Sequence, residues 1–230
     1  MRPVDKGSAP QVYTNYQDAR NDLANKIDWC CSYCEMKVMN SINIDHVIPL
    51  SKGGAKLDWD NFLLACFHCN GKSNKSDKNS SRTDYYWPDI DNTINAFQYH
   101  PTPDIIGPKS SLSYKQKIKA QNTIDLLGLD KFPGKPNKEP TPGDKRWIAI
   151  QSAWLKANKS MDNWKKQQSD EMLEMIIECA HSDGHFSIWY ELFKSYDRVR
   201  KALIAKFEGT YQPSTFDNRG KPSPRPHSDL

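Results

Sequence analysis

The chain has no long apolar run. None of its segments approaches the ~20 consecutive apolar residues that a membrane-spanning helix needs, and its mean hydropathy is −0.81. It also lacks a secretory start: Met1-Arg2-Pro3-Val4-Asp5-Lys6 leads into Gly, Ser and Pro with no apolar core region. These absences predict a soluble protein of the cytosol with no membrane partner. There is no internal repeat. Neither sign of charge is in large excess: 32 Lys and Arg against 28 Asp and Glu leave a net charge of +4, which permits nucleic-acid binding without arguing for it. Aromatic residues are not lacking. The chain carries 7 Trp, 10 Tyr and 8 Phe, and chains that stay disordered lack such residues. Its 230 residues suit one large domain or two small ones.

What the sequence does contain is concentrated in one short segment. It reads Cys31-Ser32-Tyr33-Cys34, then Ile44-Asp45-His46-Val47-Ile48-Pro49-Leu50, then Asn61-Phe62-Leu63-Leu64-Ala65-Cys66-Phe67-His68-Cys69-Asn70. A CxxC turn lets two sulfurs reach one ion, and two such turns complete a tetrahedron around zinc. In a reducing cytosol paired CxxC spacings mean metal rather than disulfides. Cys31, Cys34, Cys66 and Cys69 are therefore the expected ligands of a structural Zn²⁺, and Cys30 is the spare. Four thiolates close the coordination shell and leave no open position for water, so catalysis needs a second metal site. The gap between Cys34 and Cys66 exceeds that of an ordinary zinc finger and must hold a folded insert, for which a two-stranded hairpin fits.

Hydrophobic periodicity places this segment within the rest of the chain. Residues 1–12 read as an extended leader, and Tyr16, Leu23 and Ile27 give a helical stripe that ends near Trp29. Residues 42–48 alternate as a strand, Pro49 and Gly53-Gly54 turn the chain, and 60–65 form the return strand. The polar, basic run from Asn70 to Arg82 is expected to start a helix. Residues 84–112 hold Pro88, Pro101, Pro103 and Pro108 and read as an irregular connection in which Tyr85, Tyr86 and Trp87 must pack somewhere. Helices are expected around Ala120, Ile124 and Leu127, ended by Gly128, around Trp147, Ile150 and Trp154, and around Leu173, Ile176 and Ala180. Trp189, Leu192, Tyr196, Val199, Leu203 and Phe207 suggest one further helix over 188–207. The Pro-rich, basic tail from about Gly220 reads as disordered. The expected division is 1–27, leader and helix; 28–82, the cysteine-framed core; 83–112, linker; 113–208, helical domain; 209–230, tail.

Phosphodiester cleavage needs a base to activate water, a Lewis acid at the phosphate and something to orient the base. Asp45 offers the hard oxygen that Mg²⁺ prefers, and His46 is a base suited to neutral pH. Asn70 would be fixed by its neighbour Cys69, and Asn61 can hydrogen-bond the backbone near His46. These residues resemble the pattern of HNH endonucleases over roughly residues 28–82. The resemblance implies an α+β, mainly helical chain with a zinc-stabilised ββα-metal core and a helical C-terminal domain. It implies His46 as general base, Asp45 and Asn70 as ligands of one catalytic Mg²⁺ or Mn²⁺, and Asn61 as the orienter of His46. The family often has a Lys three residues after the position of Asn70; here Ser73 stands there, flanked by Lys72 and Lys75. The cluster Lys72, Lys75, Lys78 and Arg82 is expected to contact phosphates, which gives affinity without sequence information.

Met1-Arg2-Pro3-Val4-Asp5-Lys6-Gly7, Asn122-Thr123-Ile124-Asp125-Leu126-Leu127-Gly128-Leu129, and Phe207-Glu208-Gly209-Thr210 followed by Phe216-Asp217 resemble a narrower group. These are the HNH subunits of Septu-type antiphage defence systems, including those attached to retrons. That resemblance implies a partner ATPase with an ABC- or SMC-like head that controls the nuclease. The expected function is endonucleolytic cleavage of nucleic acid, with DNA favoured. An RNase using the same site, for example against tRNA, a non-catalytic zinc-dependent binding module and a stand-alone restriction enzyme are the alternatives. Cys179, His181 and His185 lack a fourth ligand and read as core and loop rather than as a second zinc site.

Overall fold

In the computed structural model, residues 1–40, 42–79, 81–101, 105–210 and 215–230 are described. Among them are six α-helices and four short strands. The centre of the cysteine-framed segment is a hairpin in which β1 (Ile42–His46) pairs antiparallel with β2 (Phe62–Cys66), with Asp45 opposite Leu63 and His46 opposite Phe62. Between the strands, Pro49 opens a short 3-10 turn that Gly53 closes with φ 85°. Helix α1 (Ala19–Lys26) covers the hairpin. Alternation on β1 does not make one wet face. Every residue of β2 is buried, and on β1 both Ile44 and Asp45 are buried, because a charged partner waits on the side where solvent was expected.

The expected helix after Cys69 is absent. Residues 70–79 form successive turns instead. Gly, Ser, Asn and Asp dominate this stretch, and their short side chains compete with helical hydrogen bonds by capping nearby backbone groups. Asn74 does this, donating from Nδ2 to the carbonyl of His68 at 2.6 Å, and Asn79 donates to Val47 O at 2.7 Å.

The connection over 84–112 is not wholly irregular. It contains a second two-stranded sheet, β3 (Phe97–Tyr99) against β4 (Ile106–Pro108), while Pro103 lies outside the described residues. Tyr86 and Trp87 are fully buried, as their size demands. Helix α2 (Tyr114–Leu127) packs on β4. It starts with a capping box between Ser113 and Gln116 and ends at Gly128, which is left-handed at φ 57°. Helices α3 (Arg146–Lys166) and α4 (Asp170–Asp183) follow where their apolar periods place them.

The apolar period over 188–207 is broken into α5 (Phe186–Leu192) and α6 (Asp197–Lys206). The chain turns at Phe193–Tyr196, where Tyr196 N–H bonds Phe193 O at 2.9 Å. Phe193 is fully buried, so apolar spacing carries through a turn that periodicity alone reads as continuous helix. The tail is not free either. Tyr190 donates to Gly220 O at 2.5 Å, Asn92 donates to Thr215 O and Ser223 O, Arg225 donates to Pro88 O, and Leu230 is buried. Residues 211–214 lie outside the described part. No described helix is long and apolar enough to cross a membrane.

Several contacts join the cysteine-framed core to the helical half. Glu35, just past the first CxxC, accepts the N–H of Ser187 at the start of α5 at 2.7 Å, and its own carbonyl accepts His185 N–H at 3.0 Å. At the C-terminus of α2, an added Cβ on Gly128 would lie 2.1 Å from Asn74 Oδ1, so only glycine fits there. The apolar core accordingly runs without a break from α1 and the hairpin through Trp87 to α5 and α6.

Candidate active site and metal centre

The two CxxC turns converge. The Sγ atoms of Cys31, Cys34, Cys66 and Cys69 all lie within 4.8 Å of one another, and all four residues are buried. Cys34 Sγ and Cys66 Sγ are 3.7 Å apart, close to the ~3.8 Å edge of a tetrahedron with Zn–S of ~2.3 Å. Backbone N–H groups point at the sulfurs, Cys66 N to Cys31 Sγ at 3.3 Å and Cys69 N to Cys66 Sγ at 3.4 Å. Such donors stabilise thiolates, so the donor set fits a zinc ion. Arg146, from the start of α3, adds a donor that sequence gave no sign of. Its Nη1 lies 3.2 Å from Cys69 Sγ and also donates to Leu127 O, while Nε and Nη2 donate to Asp144 and Nη2 to Gly128 O. Cys30 is buried and outside the cluster, and burial pushes its thiol up to about 11. Among the described residues no second metal cluster forms at Cys179, His181 and His185. His181 instead meets Asp28 at 2.9 Å.

Beside the cysteines, Asp45, His46 and Asn70 line one cleft, together with Tyr16, Ser76 and Asp77. The His46 ring is held edge-on by Tyr16 and Phe62, with centroids 4.8 and 5.2 Å away. Its Nε2 is 3.1 Å from the carbonyl oxygen of Lys56. A carbonyl can only accept, so Nε2 carries the proton and Nδ1 keeps the lone pair. Nδ1 is then the atom able to take a proton from water.

Asn61 does not touch the imidazole. Its Oδ1 accepts Ile48 N–H at 2.8 Å, and its Nδ2 donates to Ile48 O at 3.0 Å and Ala55 O at 3.1 Å. It ties down the loop whose next carbonyl, that of Lys56, holds His46, so it reaches the imidazole only through backbone. Asn61→Ala is expected to cost ~1–3 kcal/mol, since buried backbone groups lose their partners, and to slow any reaction that depends on His46. A variant as stable and as active as wild type would count against this role.

Asp45 is 1% exposed. Lys75 Nζ donates to its Oδ1 at 2.8 Å and to His46 O at 2.9 Å, and the Tyr33 hydroxyl donates to its Oδ2. Burial pushes the Asp45 carboxyl up, against the downward pull of the Lys75 ammonium and the Tyr33 hydroxyl. A carboxylate has about four lone-pair sites, so two donors orient Asp45 and still leave it able to meet an ion at the cleft. With the amide oxygen of Asn70 it offers the hard oxygen ligands that Mg²⁺ or Mn²⁺ takes, and the donor set fits such an ion.

Lys75 is thus not a phosphate contact. It is fully buried, and the expected basic cluster divides. Arg82 pairs with Asp89 at 2.8 Å and faces a different cleft, on the far side of the Asn61 loop. Lys72 and Lys78 remain exposed. Replacing Lys75 with Met leaves Asp45 buried without its cation, at an expected ~3–5 kcal/mol. Adding Asp45→Asn should recover part of that loss in urea melts; two independent, additive penalties would refute the pairing. The sequence offers Lys75 as a phosphate contact and gives no sign of Tyr33, because neither burial nor partners twelve and thirty residues away leave a local pattern.

The family described as HNH endonuclease matches residues 31–76 of this chain. A protein of Vibrio cholerae serotype O1 biovar El Tor named "Retron Vc95 putative HNH endonuclease" is 26% identical over 106 residues, covering 44% of this chain and 52% of its own length. The chain therefore spans about half the length of that curated relative. The matched stretch runs from the first zinc-fitting cysteine through the paired Asp45 and His46 to the turn that carries Lys75, and over those residues this chain carries an HNH endonuclease domain.

Proposed function

We propose that this protein is a metal-dependent endonuclease that hydrolyses nucleic-acid phosphodiester bonds, with DNA the favoured substrate. The observation that carries the reading is the convergence in one cleft of an imidazole with a free Nδ1 and two oxygen donors, Asp45 and Asn70. His46 takes a proton from water at Nδ1 while Lys56 O holds its Nε2–H. A divalent cation held by Asp45 and Asn70 would stabilise charge on the scissile phosphate and the departing 3′ oxygen. Lys75 and Tyr33 keep the Asp45 carboxylate in place, and the products carry 5′ phosphates. The four cysteines would hold a structural zinc, and Cys69 would thereby fix the adjacent Asn70 relative to β1. RNA cleavage by the same site is the second reading, because nothing in the cleft depends on the absence of a 2′ hydroxyl.

The biological role we propose is that of an antiphage effector restrained by a partner ATPase of ABC- or SMC-like type. The retron in the relative's name and the Septu resemblance support it. The test is incubation of plasmid DNA and total tRNA with the full chain and Mg²⁺ or Mn²⁺, with EDTA as control. Metal-dependent fragments bearing 5′ phosphates are expected. Intact DNA and RNA with either metal, also after the cognate ATPase is added, would leave a binding module as the better reading.

A further inference from the structure

The catalytic cleft continues into neighbouring depressions. The cleft beside the Asn61 loop, which mixes Asp5, Asp58, Asp60 and Asp89 with Lys6, Arg82 and Arg225, shares no lining residue with it. Asn70 and Ser76 are shared with a second depression that also contains Lys72, Asn43 and Phe67. Asn43 and Phe67 continue in turn into a third, with Arg20 and Trp29. The result is a groove from His46 to Trp29. Among its described lining residues beyond the catalytic cleft there is no acid; there are two cations and several amides.

Phe67 stands at the middle of this groove. It is 69% exposed, although a phenyl ring ordinarily seeks the core. Its backbone is fixed because it sits between two cysteines of the metal cluster. Trp29, at the far end, is held by a hydrogen bond from Nε1 to Asn25 Oδ1 at 3.0 Å. Aromatic faces spaced along a cationic groove are how proteins hold single strands, since every unpaired base has a π-face to stack. Bases inside a duplex present only their edges.

Building on the nuclease reading above, we propose that this groove is the track of the substrate strand and that Phe67 stacks on an unpaired base beside the scissile phosphate. The substrate class is then single-stranded or looped nucleic acid. Arg20 and Lys72 supply the phosphate contacts.

The test measures binding apart from cleavage, with the full chain in a His46→Ala background and fluorescein-labelled oligonucleotides. The probes are single-stranded DNA, the same sequence as RNA, and the DNA duplex. Phe67→Ala should weaken single-strand binding by roughly 5- to 150-fold, the range of base–aromatic stacking, with little change for duplex and an unchanged melting temperature. Phe67→Trp should restore binding. The DNA and RNA arms show which strand chemistry is preferred. Equal single-strand affinity for Phe67→Ala and its parent, or tighter binding of duplex than of single strands, overturns the proposal. Wild-type cleavage, assayed in parallel, separates the two failures: cutting of duplex with no effect of Phe67→Ala ends the groove assignment and leaves the nuclease standing.

Discussion

Cys66→Ser, or removal of the zinc by a chelator, is expected to unfold the protein far beyond the cysteine-framed segment. Structural zinc sites contribute ~10–16 kcal/mol of apparent binding free energy, whereas a whole domain is stable by only ~5–15 kcal/mol. The hairpin has nothing to replace that term, since two five-residue strands are marginal alone. The loss would not stop at residue 82. Arg146 anchors Cys69 Sγ to the last carbonyls of α2, and Glu35 anchors the first turn to α5. Circular dichroism melts with a colorimetric zinc assay check this. A Cys66→Ser protein with full zinc content and an unshifted melting temperature would dispose of the zinc assignment.

His46→Ala is expected to abolish cleavage with the fold intact. Loss of a general base typically costs ~10²–10⁴ in rate. The stability loss should be about 1 kcal/mol, because the half-buried ring gives up only its edge contacts with Tyr16 and Phe62 and one hydrogen bond. The change leaves Asp45, Lys75 and the cysteines untouched, so metal content should match wild type. Single-turnover rates and thermal melts on the same preparation read both quantities. Retention of more than about a tenth of the wild-type rate would show that His46 is not the base.

The local features of this site could be read in the sequence, because cysteine spacing, the Asp45-His46 pair and the alternating strand residues are local patterns. The β1–β2 hairpin and helices α2, α3 and α4 follow from such patterns. What the sequence hid depends on distant partners. Lys75 looks like one more surface cation in a basic run, and only the fold places it on Asp45. Arg146 looks like the first residue of a helix, and only the fold brings it to Cys69. The split between α5 and α6 was hidden because apolar spacing reports burial rather than backbone continuity. The packed tail was hidden because a Pro-rich composition says nothing about the amide and hydroxyl groups of Asn92 and Tyr190 that meet its carbonyls.

The seat of α2 on the second cysteine turn sets a practical limit. Gly128 lies against Asn74 with no room for a side chain, and Asn74 holds the His68 carbonyl between two zinc-fitting cysteines. A fragment cut near residue 82 would strip Cys69 of its arginine donor, remove this buttress from Asn74 and expose the apolar underside of the hairpin. The smallest unit that folds is therefore larger than the family-matching stretch, and fragments cut near residue 82 should yield insoluble pieces.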